Sequence, residues 1–592
     1  MPGYPLTPPR TLPYRVDVTQ VKTAARLVDT SGVVERIDTW RTEDGYRPER
    51  GGRRPYLNER QILILMVILL RLGEPLHLTK ATNIIAVAMT DNARTELGLP
   101  TLVQAHRVGD NYIHGYANWY KRVQRSWKRL LRVVDPYPEM TYARALTCAE
   151  YEELTKGRDP EFIQRRRDRA TELWNRLITA THTELPEEAW SHWEGDVTGD
   201  GTPIDAARRG NPGSKRWAAH RRMSSEPDAG WYRPEGDHVG DGPGGTQRWA
   251  YEATLMFAGI VQSGEYGVPS LVVGMSLDKP GHKPAINYLN ALRYFTTTEL
   301  GQRRRYAVGD RAYPAGSKVE NYHRPLRELG YGIVGDYRID QLGKQVDFAG
   351  ALMIEGGLYC PSTPQNLIDA TLRFRGAKGY DPIDEDEYRK LIEQRKAYRL
   401  RRKQGTPNGQ AMMCPARGPG KTKNCTLLGI PAPIPGKDQP APIRRSRPAG
   451  RVCSNKDSLM IPSIEGEKFR QDGPDYQTPE WGHIYGTLRN VCEGSNSNIK
   501  NLSASIGNRT RRLVRGFAAH WAMTALGVIA SNLDKISSYL DRVEANTPIK
   551  SPDPDPTPPD GGRRTRPEPD VVPVEQPDWN PKRRPGAPPL AA

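Results

Sequence analysis

Long apolar runs are missing from this chain. The longest, Ile62–Leu70, falls far short of the roughly 20 residues that a membrane span requires, so it reads as a buried helix and no membrane partner is expected. Cysteine is scarce: six in 592 residues are too few for a disulfide scaffold, and reduced thiols are expected. The opening Met1–Arg15 is rich in proline and lacks the apolar stretch of a secretory signal, which leads to the expectation of a cytoplasmic protein. Acidic side chains are in deficit, Asp+Glu 69 against Lys+Arg 86, for a formal net charge of +17. That balance favours an anionic partner such as nucleic acid, although charge alone does not choose among anions.

What is present exceeds the roughly 250–300 residues at which one hydrophobic core stops growing, so two or three domains are expected. Residues 1–55, rich in Pro, Gly and Arg, read as a flexible N-terminal arm. Residues 56–185 read as a helical domain. Asn58 is placed as an N-cap, a second helix is expected at about Leu78 to Met89, and a third stretch covers Tyr112 to Val134. This last stretch carries Lys121, Arg122, Arg125, Lys128, Arg129 and Arg132 beside Trp119 and Trp127. It is either a reader of DNA ends or a helix with a solvated cationic face.

From Trp193 to Arg338 short strands alternate with helices. Strands are expected at Trp193–Gly199, Trp249–Ile260 and Ser270–Leu277, then a helix at Lys283–Leu300, a strand at Tyr306–Gly309, a helix at Lys318–Leu329 and a strand at Gly332–Tyr337. Three strands that can meander antiparallel, followed by alternating helix and strand, predict a mixed α/β fold whose five-stranded sheet is flanked by helices. That is the ribonuclease-H-like order up to its last helix, for which Gly486–Asn501 is the candidate. The core would then comprise residues 190–338 and 479–545, interrupted by an insertion at 339–478 with a charged helical piece (Asp384–Lys403) and a Gly/Pro-rich stretch (Gly405–Gly450). Arg511–Val543 reads as one or two helices, and the Pro-rich tail 546–592 is too poor in apolar residues to order.

Hydrolysis and transfer of phosphodiesters call for two divalent cations, and such hard ions take carboxylate oxygens. Asp200, in Gly199-Asp-Gly-Thr-Pro-Ile204, is expected just after the first strand, and Asp310, in Gly309-Asp-Arg-Ala-Tyr313, just after the fourth. If those strands lie side by side, both carboxylates emerge at one edge. Asp196, in Asp196-Val-Thr198, competes as the first ligand. A third carboxylate, Glu493, shares one helical face with Arg489, Asn496 and Lys500, at spacings of 4, 3 and 4 residues. Such a face suits a metal ligand beside a phosphate track, and equally an exposed ladder of ion pairs.

Those three strings, the last as Arg489-x3-Glu493-x6-Lys500, resemble the three catalytic blocks of the DDE transposases of bacterial insertion sequences. Glu226–Arg233, Trp249–Thr254, Gly332–Arg338 and Arg512–Ala518 are similar to linking segments of an actinobacterial branch of that family. Tyr485 stands four residues before Arg489, where family members often carry Tyr three before it. The resemblance implies that Asp200, Asp310 and Glu493 bind two Mg²⁺ (or Mn²⁺) ions. It implies that Arg489 and Lys500 contact DNA phosphates near the scissile bond, and Arg311 and Asn496, within the same blocks, are expected at the DNA as well. The implied activity is cleavage at transposon terminal inverted repeats and strand transfer into target DNA by a homodimer that pairs two ends, an activity of the nucleoid. A nuclease of the same fold that cuts without joining and a non-catalytic DNA-binding relic stand as alternatives. Separately, Cys360, Cys414, Cys425 and Cys453 fall in the insertion, where four thiolates could close a structural Zn²⁺ site or simply be buried thiols.

Overall fold

The computed structural model describes residues 9, 12–46, 55–100, 112–206, 210–213, 217–233, 247–406, 409–418, 420–425, 450–454, 458–501, 506–508 and 514–549. The fold is mixed α/β, a mixed sheet wrapped by helices. Two helices, α1 (Val18–Thr30) and α2 (Val33–Glu43), occupy what reads as a flexible arm. The reason is local: Asp17 caps α1 in a reciprocal capping box with Gln20, and Val21, Ala24, Leu27 and Val28 recur at helical spacing and are buried. The Pro- and Arg-rich flanks dilute that signal in composition.

Helix α3 (Glu59–Arg71) starts at the expected Asn58 cap and is buried along nearly its whole length. Leu78–Asn83 continues as a π-helical turn to Ala88. Helices α4 (Tyr112–Arg132) and α5 (Pro160–Ala180) complete the N-terminal layer. This layer shares one continuous hydrophobic core with the sheet: Trp40, Ile64, Trp119 and Trp174 join Tyr251, Leu255 and Phe257 of the sheet and Trp521 and Ile529 of the C-terminal helix. The boundary expected near residues 185–190 is therefore no break in packing.

The sheet holds β1 (Val197–Asp205), β2 (Gly230–Tyr232), β3 (Arg248–Ala258), β4 (Val272–Asp278), β5 (Tyr306–Gly309) and β6 (Gly332–Val334), in the order β2-β3-β1-β5-β6 with β4 also on β3. Strand β3 runs antiparallel to β1, β2 and β4, and β1, β5 and β6 pair in parallel. The short β2 is an addition to the five expected strands. Helices α6 (Pro284–Arg293) and α7 (His323–Glu328) supply the crossovers. Strand β1 begins four residues later than its pattern suggests, because the Trp193 indole N–H is engaged by the Asp196 carbonyl at 2.7 Å. Pairing with β3 then carries the strand through Gly201 and Pro203 to Asp205.

In the insertion, helix α8 (Glu385–Lys396) is capped by Asp384, with Glu385, Asp386 and Glu387 in its first turn and Arg395 and Lys396 in its last, the polarity that the helix dipole favours. It stops at Lys396, short of the expected Lys403, because Arg401–Thr406 enters a sheet with Gly409–Met413 and Leu459–Pro462. A second small sheet joins Lys344–Phe348, Ala351–Ile354 and Gly357–Tyr359. Helix α9 (Pro479–Asn501) returns the chain to the main sheet. The last helix, α10 (Phe517–Glu544), is one continuous rod, buried from Phe517 to Leu533 between the N-terminal helices and the sheet. No helix of the described residues is long and apolar enough to cross a membrane.

Candidate active site

The site starts from a register. Gly199 of β1 and Gly309 of β5 are partners in the parallel pair, so the next residues, Asp200 and Asp310, leave neighbouring strands at the same level. Asp200 lies within β1, not after it. Each carboxylate is oriented by a backbone N–H of the following residue: Gly201 donates to Asp200 Oδ1 at 2.8 Å and Arg311 to Asp310 Oδ1 at 2.6 Å. Helix α9 packs across β1, β3 and β5 and brings Glu493 to the same place.

Between the three acids stands Arg489. Its Nη1 lies 3.8 Å from Asp200 Oδ2, and its Nη2 lies 3.9 Å from Asp310 Oδ2 and 3.2 Å from Glu493 Oε1. Only 14% of the Arg489 side chain is exposed, against 26% for Asp200, 45% for Asp310 and 64% for Glu493. Burial works against the guanidinium charge, but Asp200 and Asp310 outweigh it and Arg489 is held firmly protonated. Burial pushes the Asp200 carboxyl up to about 6, with Arg489 opposing and the like charges of Asp310 and Glu493 adding. Arg489 Nη1 nevertheless has no hydrogen-bond partner, so the enclosure offers a concentrated negative field rather than a closed ion-pair lattice.

The other expected residues divide. Asp196 lies outside the cluster: it is 1% exposed and receives Arg305 Nε at 2.8 Å and the Tyr306 N–H at 3.1 Å. It clamps the starts of β1 and β5, at the opposite end of the pair from Asp200, and is spent as a metal ligand. Asn496 is buried and turned toward the Cys492 sulfur, its Oδ1 without a hydrogen-bond partner, so its side chain does not face open space. Lys500 is half-buried, its ammonium destabilised by burial and by neighbouring Arg248. Arg311 pairs with Asp336 at 3.2 Å. Asp237 and His238, which from the sequence read either as supporting groups or as ordinary polar loop residues, lie outside the described residues.

Sequence reasoning missed a fourth carboxylate and did not single out a brace, for Asp336 reads either as a supporting group or as an ordinary polar strand-end residue. Glu252 of β3 accepts the Gly281 N–H at 2.8 Å, and a Cβ at Gly201 would come 2.6 Å from its Oε1; burial raises its pKa and Asp200 adds to that. The brace is Asp336, which holds Arg311, lies 4.0 Å from Arg375 and accepts the Tyr476 hydroxyl. Nearby Trp481 stacks on the partly buried Tyr485 at 4.8 Å, one turn before Arg489. Arg375 and Tyr476 belong to the insertion, and nothing in their local sequence signals the contact.

The expected basic helix is also divided by packing. Trp119 and Trp127 are buried. Arg122 covers the rings of Tyr56 and Trp119, at 3.5 and 4.6 Å, and Arg129 pairs with Glu59 at 2.6 Å. Lys121, Arg125, Lys128 and Arg132 remain as one exposed stripe.

Among the described residues no group of three or more His, Cys, Asp or Glu side chains is arranged to hold a metal ion. For the acids the reason is on view: a guanidinium occupies their centre. Their chemistry fits a hard divalent cation, since three carboxylates already converge on the one spot where positive charge stands, provided that Arg489 withdraws and the oxygens close in. For the thiols, Cys360, Cys414 and Cys453 are buried, Cys425 is partly so, and all are free. Cys360 contacts the Ser362 hydroxyl at 3.1 Å, and burial raises the Cys414 thiol. Cys360 and Cys425 add to the rise at Cys414, so these thiols are neighbours, although among the described residues they form no arranged ligand group. No protein-family model, curated protein or solved structure matches the chain.

Proposed function

We propose that the protein is a metal-dependent DNA transposase of the DDE type on a ribonuclease-H-like core. The observation that carries this reading is the convergence of Asp200, Asp310 and Glu493, from three distant segments, on the single guanidinium of Arg489. The sheet order supports it, with an antiparallel β4-β3-β1 block running into the parallel β1-β5-β6 block and the third acid arriving on a helix laid across them.

Asp200, Asp310 and Glu493 would hold two divalent ions; when bound, these supply Lewis-acid stabilisation of the attacking and leaving oxygens. The chain's own groups do the rest. A scissile phosphate offers Arg489 a new anionic partner, so the guanidinium leaves the acids for the phosphate and frees their oxygens in the same movement. Lys500 adds a second cation along the phosphate track. The braced Arg311 limits how far the Asp310 loop can drift, through its pair with Asp336. Water is the nucleophile for cleavage, and the released 3′-hydroxyl is the nucleophile for joining. The exposed stripe Lys121, Arg125, Lys128 and Arg132 is a second phosphate contact, away from the chemistry.

The test is an incubation of purified protein with Mg²⁺ and a duplex carrying the DNA that flanks its coding region. Cleavage followed by covalent joining of the 3′ end to target DNA is expected. Cleavage without joining would replace transposase by nuclease, and binding without either would leave a relic.

A further inference from the structure

The insertion carries a dense basic run, Arg395-Lys-Ala-Tyr-Arg-Leu-Arg-Arg-Lys403. Its members do different things. Arg395 is sealed inside, paired with Glu355 at 2.7 Å with both side chains buried. Arg401 is turned onto the Arg417 carbonyl and the Met413 sulfur. Lys396, Arg399 and Arg402 join Arg401 along an open groove of about 700 Å³ between the end of α8, the strand Arg401–Thr406 and the start of α9. Four cations line it, Lys396, Arg399, Arg401 and Arg402, against two acids, Asp475 and Glu480. Asp475 is taken by Arg399. Among the described residues Lys396 has only the exposed Glu393 at 2.6 Å, a kind of pair that holds weakly in water. Arg402 is exposed and has no acidic partner among the described residues. Arg399 is partly buried, and with Arg402 close by its charge is disfavoured. The groove thus carries more cations than acids, and with Arg399 engaged by Asp475 the surplus falls on Lys396 and Arg402.

We propose that this groove is a second binding track for the DNA phosphate backbone, which makes the insertion a DNA-holding element. The inference rests on the reading of the protein as a DNA-processing enzyme. Geometry supports one duplex serving both places. Glu480 at the groove edge and Arg489 in the acid cluster lie nine residues apart on the continuous helix α9. At 1.5 Å per residue that is about 14 Å, or about four base pairs at 3.4 Å each. A duplex with its scissile phosphate at the acids and running along α9 would meet the edge of the groove lined by Lys396 and Arg402 about four base pairs away. The groove is open along its length, which suits a continuous polyanion better than an enclosed small one.

The test is fluorescence anisotropy of the full chain with a duplex of arbitrary sequence, about thirty base pairs long, without divalent ions and over a range of salt. The double variant Lys396→Ala/Arg402→Ala should flatten the slope of log affinity against log salt by about 1.8, since each phosphate contact contributes about 0.9. Lys396→Arg/Arg402→Lys should keep the wild-type slope. Lys390→Ala, an exposed cation on the same helix but outside the groove, should also keep it. Unchanged melting temperatures establish that the variants are folded, and if the double alanine variant melts early, the charge-keeping pair against Arg402→Gln alone gives the same reading with an expected change of about 0.9. A slope unaffected by the groove variants, with wild-type protein binding DNA, would overturn this proposal and leave the proposed function standing. Wild-type protein that binds no duplex would overturn both.

Discussion

Arg489 closes on the Glu493 carboxylate at 3.2 Å from one helical turn away, and the same guanidinium nitrogen faces Asp310 across the site at 3.9 Å. The cation at the centre of the three acids is thus part of the chain. Arg489→Ala should leave three carboxylates without a counter-charge. In metal-free buffer at pH 8 the variant should lose on the order of 1–3 kcal/mol, between the cost of breaking a surface pair and a buried one. Added Mn²⁺ should restore more of its melting temperature than it adds to the wild type. Thermal melts with and without the ion check this, and equal gains in both proteins would count against the displacement of Arg489 by a divalent cation.

Asp200 carries the pH signature. Its carboxyl is pushed up to about 6 by burial, above the roughly 3.9 of an unfolded chain. Between those values the folded state binds the extra proton, so raising pH through this window lowers stability, and the loss is complete above pH 6. Asp200→Asn should therefore be more stable than the wild type at pH 7–8 without metal, on the order of 1–3 kcal/mol, and the advantage should shrink toward pH 4. Melts of both proteins across that range decide it. A constant difference at every pH would mean that Asp200 is not the group titrating there.

Asp196 and Asp200 are separable by experiment. Asp196 serves the β1–β5 clamp through Arg305 and the Tyr306 N–H, so Asp196→Ala should cost about 2–4 kcal/mol while the residual folded protein keeps its Mn²⁺-dependent rise in melting temperature. Loss of that rise with stability unchanged would restore Asp196 as a ligand.

The exposed stripe on α4 should behave as a phosphate contact. Neutralising Lys121, Arg125, Lys128 and Arg132 together should reduce the salt slope of duplex binding by up to about 3.6 and leave melting unaltered, since none of the four packs inside. Anisotropy titrations measure this, and an unchanged slope would make the stripe an ordinary solvated face.

Much of the sheet was legible because its strands are short apolar runs bounded by Gly, Pro and charged residues. The alternation of β5, α7 and β6 allowed the parallel neighbours carrying Asp200 and Asp310 to be anticipated. Helix α9 was legible as a face shared by Arg489 and Glu493, but periodicity says only that residues share a face. It could not say that Arg489 turns into the acids while Asn496 turns into the protein. The clamp role of Asp196 depends on Arg305, 109 residues away, and such pairing leaves no local trace. Helices α1 and α2 were obscured by flanks whose composition resembles a tail. The insertion sheets arise from pairings between segments that each look irregular alone, and the Asp336 brace depends on Tyr476, 140 residues away.

The central claim is that Asp200, Asp310 and Glu493 together bind divalent cations. Calorimetric titration of Mn²⁺ into the purified full chain addresses it without DNA or turnover. The account predicts saturable binding to the wild type, weakened at least tenfold in Asp200→Asn, Asp310→Asn and Glu493→Gln alike, a loss of about 1.4 kcal/mol or more for each ligand. Binding that is absent in the wild type, or that survives all three substitutions undiminished, would contradict it.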